Sequence, residues 1–277
     1  MKERFLISCD LDESLLKKDK TISLRTRLYI RKLIKHGHIF MINTGRPYQS
    51  ALHFYKKLKL KNMPIVGLNG THVAFISDDY KRDSYIPFGL NKELFIDFMN
   101  EVKDHLVGAH VEDINAHYFL KDGFFPDWVD NTHVGSIEIN FNEDFVGNIP
   151  DEPLLSNLYL KKDDRHIFDE VLAKEKYQEF KNETWIINDE IVSYEIHDRK
   201  INKASTMLYM AKYFNIPKEN IIAFGDNQND LEMLQNAGIG VAMCNGLSRV
   251  KDNVKYITRK DNNHDGIVDY LKYLKIK

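Results

Sequence analysis

The chain has 277 residues, 43% hydrophobic and 29% charged, a balance that excludes disordered, collagen-like and low-complexity architectures. Lys plus Arg number 39 against 41 Asp plus Glu, so the formal net charge is −2, and no global attraction to nucleic acid or an anionic membrane follows. Two cysteines, Cys9 and Cys244, are too few for a disulfide framework. Asp10 and Asp12 interrupt any signal-peptide apolar region, and no run approaches the ~18 apolar residues of a membrane span. A cytoplasmic protein with a small-molecule partner is expected, with no role at nucleic acid or membrane.

Phe5-Leu6-Ile7-Ser8-Cys9 reads as a continuous buried-strand run, as does His38–Ile42. Between them Leu24, Leu28, Ile30, Leu33 and Ile34 recur at helical spacing, with Ser23 as N-cap and Gly37 as stop. Strand, helix, strand at this spacing implies a right-handed crossover in a parallel sheet. From about Tyr85 to Asn188 the texture changes to short strands, such as Ala116–Leu120 and Asn157–Lys161, with helices near Glu93–His105 and His166–Gln178. The α/β pattern then resumes: a helix over Ala204–Phe214, a strand at Ile221–Phe224, a helix over Leu231–Asn236, a strand at Ile239–Met243 and a closing helix over Ile267–Leu274. The expected fold class is α/β, a Rossmann-like parallel-sheet core (residues 1–84 and 190–277) with an inserted α+β domain (85–189).

The strongest local signal is Asp10-Leu11-Asp12-Glu13-Ser14 directly after the first strand. In an extended segment residues i and i+2 point the same way, so both carboxylates are expected to face one site at the carboxyl end of a parallel strand. Gly225-Asp226-Asn227-Gln228-Asn229-Asp230 follows another buried strand of the same sheet. If the two strand ends share an edge, Asp10, Asp12, Asp226 and Asp230 converge. Each like-charge pair at ~4 Å then costs on the order of 4 kcal/mol at an effective dielectric of 20. A cation relieves that repulsion, and hard oxygen donors suit Mg²⁺. A calcium loop does not fit: Asp261–Gly266 opens like one, but its twelfth position is Lys272, and the Asp226 loop has Leu231 at position six.

Asn43-Thr44-Gly45-Arg46-Pro47 ends the second strand before a helix and offers a hydroxyl and flexible backbone N–H groups as an anion cradle. Lys203 opens the second core half. Phosphate loops, GxGxxG, HExxH and GxSxG are absent, and the eleven histidines show no metal-ligand spacing with cysteines. His36, His38, His105 and His110 read as surface or partly buried polar residues. Cys9 reads as core, and Tyr118, Phe119, Phe124, Phe125 and Trp128 as packing.

Taken together, these residues resemble the haloacid dehalogenase-like phosphohydrolases, in particular the Cof-type sugar-phosphatase group with a large type-2 cap. DxDx[ST] is matched by Asp10, Asp12 and Ser14; the strand-ending Thr by Thr44 in Thr-Gly-Arg; the motif Lys by Lys203; and GDxxND by Gly225, Asp226, Asn229 and Asp230. Asn69-Gly70 resembles the family's turn before the cap, and Asp265-Gly266-Ile267 its C-terminal Asp-Gly-Val. The resemblance covers both core halves, while the middle domain matches in position and approximate length only. Glu13, Ala204 and Cys244 stand where relatives often carry Gly.

The resemblance implies a Mg²⁺-dependent phosphatase in which Asp10 is the nucleophile that becomes an aspartyl-phosphate and Asp12 the general acid and base. The metal would be held by Asp10, Asp226 and the Asp12 carbonyl. Leu11 N–H, Thr44, Gly45, Lys203 and Asn229 would bind phosphoryl oxygens, with Asp230 behind them on metal-bound water or on Lys203. The cap would close over the site and choose the leaving group. Sugar phosphates lead as substrates, then phosphorylated cofactors. A phosphomutase and a non-enzymatic phospho-accepting module stay open as alternatives.

Overall fold

The computed structural model describes residues 3–124 and 138–276. Within them the chain divides into two units, Met1–Ile86 with Asn202–Lys277, and Pro87–Ile201. The second crossing point therefore lies at residue 201, a dozen residues beyond the 189 read from the sequence. The reason is local: residues 190–201 carry a strand that pairs inside the second unit's own sheet.

In the first unit, β1 (Leu6–Cys9), β2 (Ile39–Asn43) and β3 (Pro64–Gly67) are followed by β4 (His72–Ile76) and β5 (Arg82–Pro87). The second unit holds β6 (Leu106–Glu112), β7 (Ala116–Leu120), β8 (Glu138–Asn142), β9 (Leu155–Lys161), β10 (Phe180–Ile186) and β11 (Ile191–Asp198). The chain returns to the first unit with β12 (Ile221–Gly225), β13 (Ile239–Ala242) and β14 (Tyr256–Ile257). The helices are α1 (Leu24–Lys35), α2 (Tyr48–Leu58), α3 (Lys92–Val102), α4 (Arg165–Leu172), α5 (Lys203–Tyr213), α6 (Leu231–Asn236), α7 (Ser248–Lys251) and α8 (Gly266–Tyr273).

Among the described residues the first sheet runs β14-β13-β12-β1-β2-β3-β4-β5. β12, β1, β2 and β3 are parallel, and β4 is antiparallel to β3. Every residue of β1, β2 and β12 is buried, as expected for parallel strands covered on both faces. β1 has β2 on one side and the distant β12 on the other, so the strand order reverses beside it. Crevices at such reversals, outside the carboxyl ends of the strands, are where open α/β sheets bind ligands.

α1 starts where expected, with the Ser23 side chain accepting from Thr26 N–H. Its buried stripe, however, is Thr26, Ile30 and Leu33, while Leu24 and Leu28 are 60% and 54% exposed. At about 100° per residue those two leucines sit about 200° from Thr26, on the opposite face. The helix expected over His166–Gln178 is α4 alone, followed by a separate turn at Glu175–Tyr177. α3 likewise stops at Val102 and gives way to a tight turn at Lys103–His105.

Among the described residues the second unit contains a six-stranded sheet in the order β10-β11-β9-β6-β7-β8. Alternation along its strands separates two faces. Ala109, Val111, Leu158, Leu160, Val192, Tyr194 and Ile196 join one core with Phe95, Phe98 and Met99 of α3 and Phe168 and Val171 of α4. The intervening residues, including His110, Glu112, His117, Asn157 and Tyr159, belong to the other face. Tyr118 packs against that core and Phe119 is buried, as packing residues; Phe125 and Trp128 lie outside the described residues.

Candidate active site

β1, β2, β3 and β12 end side by side, and each delivers one loop of the site. After Cys9 the chain leaves the strand through one wide helical turn, Leu11–Leu15, closed by Leu15 N–H to Asp10 C=O and Leu16 N–H to Leu11 C=O. Glu13 takes a left-handed conformation there (φ 54°), the conformational demand that explains why glycine suits this position. Cys9 is fully buried, in keeping with its reading as core.

Lys203 opens α5 and is 1% exposed. Asn202 caps that helix by accepting from Ala204 and Ser205 N–H, and Asn43 at the end of β2 donates to the Lys203 carbonyl at 3.0 Å. The Lys203 ammonium lies 2.7 Å from Asp10 Oδ1 and 2.7 Å from Asp230 Oδ1. The other oxygen of Asp230 accepts from the backbone N–H groups of Asp226 and Asn227, at 2.9 and 3.0 Å. Asp230 therefore locks its own loop and aims Lys203. Gly225 makes this possible, since a Cβ there would sit 2.4 Å from that of Asp230. Ser14 donates to Asp226 Oδ1 at 2.8 Å.

Asp10, Asp226 and Asp230 each bring a carboxylate oxygen within 4.8 Å of the others. Asp12 does not join them. The turn after β1 sends its carboxylate to Arg46, whose Nε and Nη2 reach Oδ2 and Oδ1 at 2.6 and 2.7 Å, and to Lys20 Nζ at 2.7 Å. The expected four-acid convergence is thus a three-acid cluster beside a separate Asp12–Arg46–Lys20 group: Asp10 and Asp12 keep extended dihedrals, but the chain joining them enters the Leu11–Leu15 turn.

Three carboxylates against the one Lys203 ammonium leave two negative charges in a buried space. Burial pushes the Asp10 carboxyl well above the ordinary carboxylate value; Lys203 opposes the rise and Asp230 and Asp226 add to it. Burial, then the Asp230 charge, raises Asp226 to about 7. For Lys203, burial works against the charged form, but Asp10 and Asp230 outweigh it and hold the ammonium protonated. Asp12 behaves oppositely: burial pulls it up, but the hydrogen bonds from Arg46 and Lys20 leave it below the ordinary value. A divalent cation cancels the cluster's residual charge, and its all-oxygen donor set fits Mg²⁺. Lys203 and Ser14 each occupy one oxygen of Asp10 and Asp226, leaving each carboxylate its second oxygen.

Thr44 directly follows β2, buried, and its hydroxyl accepts from Arg46 N–H at 3.2 Å. Asn69 N–H donates to the Thr44 carbonyl at 3.1 Å, and Asn229 Nδ2 donates to Asn69 Oδ1 at 2.8 Å. Asn69 and Gly70 form the turn after β3 with φ of 56° and 108°, and a Cβ on Gly70 would meet the Asn202 carbonyl at 2.4 Å. Sequence reasoning marked Asn69 only as a turn residue and gave Arg46 no partner; the paired Asn69–Asn229 and Arg46–Asp12 contacts join residues too distant in the chain for spacing to announce them.

A family model described as haloacid dehalogenase-like hydrolase matches residues 7–271. The chain belongs to that family. Like its relatives, this haloacid dehalogenase-like hydrolase is a phosphoric monoester hydrolase. It is 35% identical over 274 residues to the 5-amino-6-(5-phospho-D-ribitylamino)uracil phosphatase YitU of Bacillus subtilis, covering 97% of this chain and 96% of that protein. The B. subtilis phosphatase YcsE, named for the same substrate, is 28% identical, with 97% and 94% covered. In fold the chain is similar to a haloacid dehalogenase-like hydrolase from Bacteroides thetaiotaomicron, with a TM-score of 0.78, 22% identity and 98% and 100% of the two chains covered. Among the described residues no helix is long and apolar enough to cross a membrane.

Proposed function

We propose that the chain is a Mg²⁺-dependent phosphatase of small sugar- or polyol-phosphate metabolites that works through an aspartyl-phosphate on Asp10. The observation that carries this reading is the buried Asp10–Lys203–Asp230 bridge with Asp226 beside it, at the carboxyl ends of β1 and β12. Asp10 and Asp226, with the Asp12 carbonyl, would hold the cation. Bound there, Mg²⁺ would supply the charge neutralisation that a phosphoryl group brought to these carboxylates requires.

In the first half-reaction an Asp10 oxygen attacks phosphorus, the bond to the leaving oxygen breaks, and Asp12 delivers the proton that oxygen takes up. In the second, Asp12 removes a proton from water, the water oxygen attacks phosphorus, and the Asp10–phosphorus bond breaks to release phosphate. Asp12 must exchange its Arg46 and Lys20 partners to do this. Leu11 N–H, Thr44, Gly45, Lys203 and Asn229 bind the phosphoryl oxygens, where charge accumulates in the transition state. The unit Pro87–Ile201 serves as the cap that selects the leaving group.

For the substrate, the two B. subtilis relatives favour 5-amino-6-(5-phospho-D-ribitylamino)uracil, a polyol phosphate within the proposed class. A phosphate-release panel of this compound, hexose phosphates, pyridoxal phosphate and flavin mononucleotide tests it. The highest kcat/KM is expected for the ribityl compound; a flat profile, or isomerised hexose phosphate without free phosphate, overturns the reading.

The metal proposal predicts a pH dependence. Asp226 carries its proton up to about pH 7, and a cation must displace it. Apparent Mg²⁺ affinity should therefore climb about tenfold per pH unit below 7 for that proton alone and flatten above it. Calorimetry in buffers of different ionisation heat should register the released proton, and affinity constant from pH 5.5 to 7 would contradict the assignment.

A further inference from the structure

The face of the second sheet opposite its hydrophobic core carries a second constellation, chemically unlike the first. His110 and Glu112 stand two residues apart on β6 and so share a face. The chain turns at residues 113–115, and the β6–β7 register places His117 directly opposite Glu112. All three are buried, at 2%, 6% and 4% exposure for His110, Glu112 and His117. Their ligand atoms lie within 4.8 Å of one another. His110 Nε2 is 3.2 Å from Glu112 Oε1, and His117 Nε2 is 3.3 Å from Glu112 Oε2.

Each of those nitrogen–oxygen separations equals the spacing of two neighbouring ligands on one ion, and they run to opposite oxygens of the one carboxylate. With zinc–nitrogen and zinc–oxygen bonds of about 2.0–2.1 Å, neighbouring ligands of a tetrahedral site sit about 3.3 Å apart. Both imidazoles present the same nitrogen, Nε2, to one carboxylate. β9 supports the set from behind: the Tyr159 hydroxyl is 3.4 Å from His110 Nδ1, and Asn157 Nδ2 is 3.3 Å from Nε2. A partner at Nδ1 is what orients a metal-binding imidazole, and a metal at Nε2 would take the place of the Asn157 amide contact. The rings of His110 and His117 stack at 6.0 Å and 19°, with the Phe119 ring 5.0 Å from His110. Ring orientation is thus set by packing as well as hydrogen bonding.

We propose that the β6–β7 hairpin binds a divalent transition metal of zinc-like preference through His110 Nε2, the Glu112 carboxylate and His117 Nε2. Two imidazoles and a carboxylate select zinc or cobalt, whereas the all-oxygen Asp10–Asp226 cluster selects magnesium, so the two sites do not compete for one ion. Three protein ligands leave a coordination position for water or a small donor molecule. The competing account is a hydrogen-bonded His–Glu–His network with protons in place of the metal.

Cobalt separates the two. Chelator-stripped full-length protein, titrated with Co²⁺ in excess Mg²⁺, should develop the intense visible bands of four-coordinate cobalt at one equivalent, and Zn²⁺ should abolish them at the same stoichiometry. His117→Asn and Glu112→Gln should each weaken cobalt binding at least tenfold, while Asp226→Asn should keep the bands. X-ray absorption of the zinc-loaded wild-type protein should show scattering from two imidazoles, a readout independent of whether the variants fold. Absence of the bands, their survival in both hairpin variants, or their loss in Asp226→Asn overturns the proposal.

Discussion

Asp10→Asn should abolish phosphate release, by on the order of 10³-fold or more at every substrate concentration, while leaving the fold intact. The substitution keeps the shape and an oxygen that can accept from Lys203, but replaces the anionic carboxylate that attacks phosphorus with a neutral, weakly nucleophilic amide. Stability is expected to hold or rise, and the sign follows from the raised Asp10 value. A carboxyl whose folded value exceeds its unfolded one stabilises the fold only while protonated, and that contribution is lost as pH rises through the folded value. Once ionised, Asp10 therefore adds repulsion toward Asp226 and Asp230 that asparagine lacks. Two measurements check this: acid-quenched reactions with labelled substrate should trap phosphate on the wild-type protein and none on the variant, and the metal-free melting point should not fall. A variant with full activity would remove Asp10 from the chemistry.

The parts of this protein that were legible in its sequence are those governed by local rules. The runs Phe5–Cys9, broken only by the small Ser8, and Ile221–Phe224 form strands because they carry no charged residue, and they are buried on both faces. α6 spans Leu231–Asn236, as its pattern indicated, and Ser23 caps α1. The same patterning failed where two faces of one helix both carry leucine: Leu24 and Leu28 have helical spacing, yet Thr26, Ile30 and Leu33 face the core.

Contacts set by pairing register or backbone turning were not legible. Asp10 and Asp12 looked equivalent because an extended chain would align them, but the turn over Leu11–Leu15 gives them different cations. His110 read as an ordinary polar residue because its meeting with His117 depends on strand register, which no local spacing encodes. His38 likewise proves buried, its Nδ1 accepting from Phe5 N–H across adjoining strands at 3.1 Å. Cysteine–histidine spacing was the wrong template for a site built from histidine and glutamate.

Lys203→Met should damage stability and activity together. Methionine fills similar volume, so the loss is chiefly one of charge: the substitution strips the ammonium from between Asp10 and Asp230, both 2.7 Å away. Breaking a buried ion pair from one side typically costs about 3–5 kcal/mol. Turnover should fall on the order of 10²-fold or more, because a phosphoryl-binding charge goes as well. The deficit must also depend on pH. Without Lys203 the Asp10 carboxyl loses the neighbour that most opposes its upward displacement, so the folded variant retains a proton that the unfolded chain releases near pH 4. The variant's stability then drops as pH rises, and its gap from the wild type should be wider at pH 8 than at pH 5. Adding Asp10→Asn removes one stranded charge, so the double variant should regain part of the stability and none of the activity. Chemical denaturation of the three proteins at both pH values decides the matter: a gap independent of pH, or a double variant weaker than Lys203→Met alone, would mean that Lys203 holds this site by packing and not by charge.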